Sequence, residues 1–125
     1  MTFSDIGLDK NILKAISDLG FETPTPIQEE SIPYLLSNEN DLIALAQTGT
    51  GKTAAFGLPI LQQIETGRKL PQTIILCPTR ELAIQITKDI EKFIKYISRA
   101  SVSAIYGGAR MDKQIRDLKN NPQIV

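Results

Sequence analysis

The sequence has 125 residues, 42% hydrophobic and 22% charged, with a formal net charge of zero; that length holds one domain at most, burying roughly two thirds of its unfolded surface. A single cysteine, Cys77, and no histidine exclude an internal disulfide, a zinc centre built on Cys and His, and a histidine-based catalytic triad. No run of 18 apolar residues occurs and the opening MTFSDIGLDK lacks the basic-then-apolar order of a secretory leader, so neither a membrane span nor export is expected and the expected location is the cytoplasm.

The charge is unevenly spread. Residues 1–65 carry 3 basic against 9 acidic side chains, and residues 66–125 carry 11 against 5. A basic second half is compatible with a polyanionic partner; on charge alone, solvated helix faces such as Lys88, Lys92 and Lys95 account for it better.

In chain order, Asp9 is placed to cap a helix whose apolar positions Ile12, Leu13, Ile16 and Leu19 share one face, with Gly20 as its stop. Thr25, Pro26 and Gln28 then read as N-cap, first helical residue and the far arm of a capping box, opening a helix that runs to about Leu36 with a disturbance at Pro33. Asn38–Asp41 is a turn. Asp41–Ala46 holds five apolar residues, too short a run for a helix and suited to a strand buried on both faces.

The stretch ALAQTGTGKT, Ala44 to Thr53, follows at once, and Lys52 to Glu65 has helical spacing in Ala55, Leu58, Leu61 and Ile64. Strand, glycine loop and helix make an anion cradle: loop N–H groups point inward and the helix N-terminus adds unpaired donors and partial positive charge. Thr48, Gly49, Thr50 and Gly51 form the loop, Lys52 is placed to reach terminal phosphates, and the Thr53 hydroxyl to hold an accompanying Mg²⁺. Ala46 stands where the general phosphate-loop pattern has its first glycine. A nucleoside triphosphate is the expected guest; the bland reading is a strand-to-helix turn with a solvated lysine.

Thr73–Cys77 reads as a second strand ended by Pro78, and Thr79 caps a long helix with a stripe of Leu82, Ile86, Ile90, Phe93 and Ile97. Cys77 is expected as an inert core thiol. Val102–Tyr106 is a third strand stopped by Gly107 and Gly108, Met111–Lys119 a polar helix, and Gln123–Val125 the start of a fourth strand. Alternating strands and helices imply a doubly wound α/β parallel sheet with ligands at the carboxyl ends of its strands. Three features fall on that rim: the loop at 46–52, Pro78–Arg80, and Gly107–Gly108.

GFETPTPIQ (Gly20 to Gln28), AQTGTGKT (Ala46 to Thr53), PTRELA (Pro78 to Ala83) and the glycine pair after Tyr106 together resemble the amino-terminal RecA-like domain of DEAD-box ATP-dependent RNA helicases, from about Phe3 to Val125. That family is similar in carrying alanine at the position of Ala46. The resemblance implies a partial RecA-like sheet of the P-loop NTPase kind, truncated at about the fourth strand, with a Q-motif helical region over 1–37 and an incomplete ATP-binding domain over 38–125. It implies ATP and Mg²⁺ as cofactors, Lys52 and Thr53 as the residues nearest the chemistry, and an adenine site in which Gln28 reads the base edge, Phe21 packs on the ring and Phe3 supports it. A primary amide suits that reading because it donates and accepts at once. For Gln28 the capping box remains the alternative, and for Phe21 ordinary core packing.

The resemblance likewise implies an RNA backbone site made by Pro78, Thr79, Arg80, Gly107 and Gly108. Arg80 lies in the first turn of its helix, where a positive charge opposes the helix dipole and an external anion gives it a reason. The glycines either admit the RNA backbone closely or form a bare turn. Such an enzyme also needs an Asp-Glu pair, a Ser-Ala-Thr motif and a second RecA-like domain supplying arginines, none of which lies in these 125 residues. The expectation is therefore a helicase fragment that hydrolyses essentially nothing alone, with apolar strand surface exposed. A catalytically silent nucleotide- or RNA-binding module, or another phosphate-loop NTPase or kinase, are the alternatives.

Overall fold

The computed structural model describes residues 1–125. The chain divides into two compact units, Met1–Gln63 and Ile64–Val125. No helix is long and apolar enough to cross a membrane.

In the first unit a short 3-10 turn, Phe3–Ile6, precedes α1 (Lys10–Asp18), α2 (Pro26–Ser37) and α3 (Lys52–Gln63). The Asp5 carboxylate accepts hydrogen bonds from the Thr2 N–H (2.7 Å) and hydroxyl (2.8 Å), which hold its pKa below the ordinary aspartate value and fix the turn that buries Phe3 and Ile6. The core lies where α2 meets α3, with Ile12, Ile16, Ile32 and Leu58 almost wholly out of solvent. Each such side chain contributes about 1.5–3 kcal/mol on burial. Asp9 occupies the N-cap of α1 but makes no capping bond with its side chain; instead the Gln62 side chain accepts from the Asp9 N–H at 2.8 Å and donates to the Gly7 carbonyl at 2.8 Å. One amide thereby ties the entry of α1 to the last turn of α3. Pro33 is accommodated inside α2, which continues to Ser37, and α3 ends at Gln63, two residues short of the expected Glu65.

The second unit holds α4 (Arg80–Phe93) and α5 (Met111–Lys119). Ile86, Ile90 and Phe93 form the buried stripe of α4. The expected stripe ran on to Ile97, but the helix stops at Phe93 and the chain passes through turns to Arg99, whose left-handed backbone (φ 64°) a continuing helix would not admit.

The expected sheet is present only in outline. Ile124 makes isolated parallel bridges to Thr73 and to Val102, and no strand forms at 41–46, 73–77 or 102–106. Apolar composition favours a strand only when neighbours supply hydrogen bonds and cover both faces. Ile43 and Leu45 are 91% and 90% exposed, and Ile74 and Leu76 are 72% and 91% exposed, so the exposed apolar surface anticipated from the sequence is found. Cys77 is half-buried rather than enclosed in a core.

Candidate phosphate-loop site

The loop between residue 46 and α3 bends where two glycines allow it. Gly49 and Gly51 have φ of 76° and 83°, a region that side-chain-bearing residues avoid. The Thr50 hydroxyl donates to the Gln47 carbonyl at 2.6 Å and closes the turn. The first intrahelical bond of α3 runs from the Ala55 N–H to the Gly51 carbonyl at 3.1 Å, which leaves the N–H groups of Lys52, Thr53 and Ala54 without an acceptor in the chain. These are the orphan donors of a helix start. The Lys52 ammonium donates back to the Ala46 carbonyl at 2.8 Å, so the loop closes on its own lysine.

Thr25 and Gln28 brace the loop from α2. The Thr25 hydroxyl donates to the Thr50 carbonyl at 2.8 Å. Gln28, 2% exposed, accepts from the Thr25 N–H at 2.9 Å and donates to the Gly51 carbonyl at 3.1 Å. The capping-box arm is therefore real, and the same side chain also holds the glycine loop. One amide hydrogen and one oxygen lone pair of Gln28 remain uncommitted.

Phe21, Gln28, Gly49 and Gly51 line one hollow, together with Glu22 and Thr23, of about 370 Å³. Phe3 and Phe21 stack obliquely, with ring centroids 6.0 Å apart and planes at 34°. The buried Phe3 thus backs the half-buried Phe21 at the hollow's wall. The hollow brings Phe21 and Gln28, expected at an adenine pocket, together with Gly49 and Gly51 of the loop, while Thr48, Thr50, Lys52 and Thr53 do not line it; Thr48 is exposed and Thr53 is half-buried in the first turn of α3. No group of three or more His, Cys, Asp or Glu side chains converges anywhere in the chain.

In the second unit the Thr79 side chain accepts from the Leu82 N–H at 3.2 Å and caps α4, which sets Arg80 at the first helical position with its side chain in solvent. Gly108 (φ 84°) lies beneath that guanidinium: a Cβ on Gly108 would stand 2.7 Å from Arg80 Nη1. Gly107 faces open space. The Tyr106 N–H donates to the Gln114 side chain at 2.8 Å and joins this turn to α5. Arg80 and Gly108, widely separated in sequence, thus share one exposed place, and Pro78 adjoins it. Sequence reasoning missed the brace from Gln28 to Gly51 and the seat of Arg80 on Gly108, because both are tertiary contacts of glycines that carry no side-chain signal.

A sequence profile described as DEAD/DEAH box helicase matches residues 25–125. Among curated relatives, the ATP-dependent RNA helicase DeaD of Haemophilus influenzae is 54% identical over all 125 residues, and that of Escherichia coli K12 is 52% identical over 124. The chain spans only 20% of the length of each. Among solved structures, a DEAD box protein from the hyperthermophile Methanococcus jannaschii superposes with a TM-score of 0.92 at 42% identity, over all of this chain and 34% of that one. The RNA helicase Prp28 from Chaetomium thermophilum, bound to ADP, gives 0.86 at 37% identity over 98% of this chain and 31% of that one. A family signature spanning residues 25–125, set on a fold shared with solved DEAD-box proteins, means that this chain belongs to the DEAD/DEAH box helicase family.

Proposed function

We propose that the chain is the amino-terminal part of an ATP-dependent RNA helicase: it binds ATP with Mg²⁺ at the glycine loop and RNA through its sugar–phosphate backbone at Arg80 and Gly108, and the whole protein couples hydrolysis to local duplex unwinding. The observation that carries the nucleotide half is the shared hollow of Phe21, Gln28, Gly49 and Gly51. Base-stacking and amide groups at one side, and a loop with orphan N–H donors at the other, match the two ends of an adenine nucleotide. Phe21 would take the ring face, the spare donor and acceptor of Gln28 the base edge, the amides of 48–53 and Lys52 the phosphates, and Thr53 the ion. Mg²⁺, when bound, neutralises phosphate charge; the chain's own part is to hold and orient the nucleotide.

The RNA half is supported by an arginine that pairs with no carboxylate in the chain and stands over a bare glycine. A backbone contact of this kind reads no sequence, so a broad range of RNAs is expected to bind. The 125 residues alone carry the lysine and hydroxyl but no assigned group to orient an attacking water, so the expected turnover of ATP by the isolated chain is nil.

Titration with a fluorescent ATP analogue in Mg²⁺ tests the nucleotide site. Saturable binding is expected. Lys52→Ala, which removes charge-assisted bonds worth roughly 1.5–3 kcal/mol, lowers affinity on the order of tenfold or more. Equal affinity in a variant of unchanged circular dichroism overturns the assignment, and steady ATP hydrolysis by the isolated chain overturns the expected silence.

A further inference from the structure

The second unit has a polar hollow at the end opposite Arg80 and Gly108. It lies where the extended segments 73–77, 102–105 and 123–125 begin, so each of them leads away from it, and it encloses about 490 Å³. Lys69, Arg99, Ser101, Asn120, Asn121 and Gln123 line it, and its walls hold no acidic and no large apolar side chain. Glu65, the acidic residue of the adjoining turn, is engaged by Arg68 at 3.6 Å, and neither Lys69 nor Arg99 pairs with a carboxylate.

Two amides set these walls in advance. Gln123, 2% exposed, accepts from the Ser101 N–H and donates to the Arg99 carbonyl, both at 2.9 Å, while its own carbonyl accepts from the N–H groups of Gln72 (2.8 Å) and Thr73 (3.0 Å). The Gln72 side chain accepts from the Glu65 N–H at 2.8 Å and donates to the Glu65 carbonyl at 2.9 Å, closing the turn that leads to Lys69. Arg99 and Asn121 both have left-handed backbones, with φ of 64° and 55°. Asn121 follows the C-cap of α5, a place where asparagine commonly ends a helix. Arg99 ends no helix, and a side chain at this φ costs stability that glycine would not. The buried amide of Gln123 holds the Arg99 carbonyl, so the fold keeps a charged fork at a position whose backbone suits glycine.

We propose that this hollow binds a phosphomonoester on a small polar carrier. Two cations match the charge of about −1.5 to −2 that such a group carries at neutral pH. The guanidinium fork suits two of its oxygens, and the side-chain amides of Asn120 and Asn121 add donors. The interior of an RNA strand is a poorer occupant: each phosphodiester brings a single charge, and no aromatic face lines the hollow for bases to stack on. A free sugar phosphate and the 5′-phosphorylated end of an RNA both supply the group. The site is separate from the glycine loop and from Arg80.

Titration of the isotope-labelled 125-residue chain with ribose 5-phosphate, followed by amide NMR, tests this. Saturable shifts at Gly67, Ser101 and Asn121 are expected, whatever happens at 48–53, and none with ribose. Arg99→Gly should weaken binding about tenfold or more while melting at or above the wild-type temperature, because glycine takes this φ without strain. Lys69→Ala should weaken binding likewise, and it decides should the glycine variant unfold. Lys113→Ala, an equal change of charge outside the hollow, should leave affinity unchanged. Decauridylate with a 5′-phosphate or a 5′-hydroxyl separates the two sources: a preference for the phosphorylated end that Arg99→Gly removes assigns the site to RNA ends, and no preference, alongside binding of ribose 5-phosphate, assigns it to the free ester. Saturation with neither ester, equal shifts with ribose, undiminished binding in Lys69→Ala or in a folded Arg99→Gly, or an equal loss in Lys113→Ala overturns the proposal.

Discussion

The side-chain amide of Gln28 rests directly on the bare Cα of Gly51: its Nε2 donates to the Gly51 carbonyl at 3.1 Å, and a Cβ on Gly51 would collide with that same nitrogen. Two separate penalties therefore fall on Gly51→Ala. One is the left-handed backbone, about 1–2 kcal/mol for a residue with a side chain. The other is displacement of a buried amide from Thr25 and Gly51. Gly49 has nearly the same φ but open space around it, so Gly49→Ala carries the first penalty alone. Denaturant melts should show the larger loss at position 51. Equal losses at the two glycines would mean that Gln28 does not brace the loop.

Gln28 itself has two jobs drawn from one amide, and substitution separates them. Gln28→Ala takes the acceptor from the half-buried Thr25 N–H, a cost of about 1–3 kcal/mol where water does not replace it, and one of two donors from the Gly51 carbonyl, which keeps the Ala55 N–H. If the remaining donor and acceptor of Gln28 read adenine, the wild type prefers ATP to GTP, and Gln28→Ala brings the two affinities together rather than lowering both alike. Competition of ATP and GTP for a labelled nucleotide measures the ratio. A preference that survives the substitution unchanged would return Gln28 to the capping box alone.

The half-formed sheet makes opposite predictions for two aliphatic residues that look alike in sequence. Ile124 is fully buried and bridges both neighbouring segments, so Ile124→Ala should cost about 2–5 kcal/mol. Leu45 belongs to the run read as a buried strand, yet it is 90% exposed. Leu45→Lys should change stability by no more than about 0.5 kcal/mol and improve solubility. Thermal melts of the two variants check this, and a severe loss at Leu45 would show that the run is buried in solution.

What could be read from the sequence follows from how local each cause is. α5 is found at the expected Met111–Lys119, and the capping arm of Gln28 is found because Thr25 and Gln28 are three residues apart. The glycine loop was legible because phosphate cradles have a fixed spacing. The strands were legible only as composition; whether Ile43 or Leu76 is buried depends on a neighbour that the segment itself does not encode. The same holds for Gln123, which looked like the polar start of a strand. It is 2% exposed, accepts from the Ser101 N–H and donates to the Arg99 carbonyl, both at 2.9 Å. Likewise Gln62, at the far end of α3, accepts from the N–H of Asp9 itself, while the Asp9 side chain makes none of the capping bonds expected of it. Such long-range amides leave no periodic trace.

Arg80 and Gly108 give the sharpest test of the proposed RNA site, because the two lie against each other. A glycine at 108 can serve RNA in two ways: by letting the backbone approach, or by leaving room for the Arg80 guanidinium, and the 2.7 Å separation between Nη1 and a built Cβ favours the second. On single-stranded RNA, Arg80→Ala should make the log–log salt dependence of binding shallower by about 0.7, one phosphate's share. Gly108→Ala pushes the guanidinium off its seat and should lower affinity and flatten the slope in the same sense. Its left-handed φ of 84° adds backbone strain, which a double-mutant cycle removes from the comparison. If Gly108 acts through Arg80, Gly108→Ala has no further effect on the slope once Arg80 is alanine. Additive losses would show instead that Gly108 meets the RNA itself, and an unaltered slope in Arg80→Ala would remove this arginine from the interface.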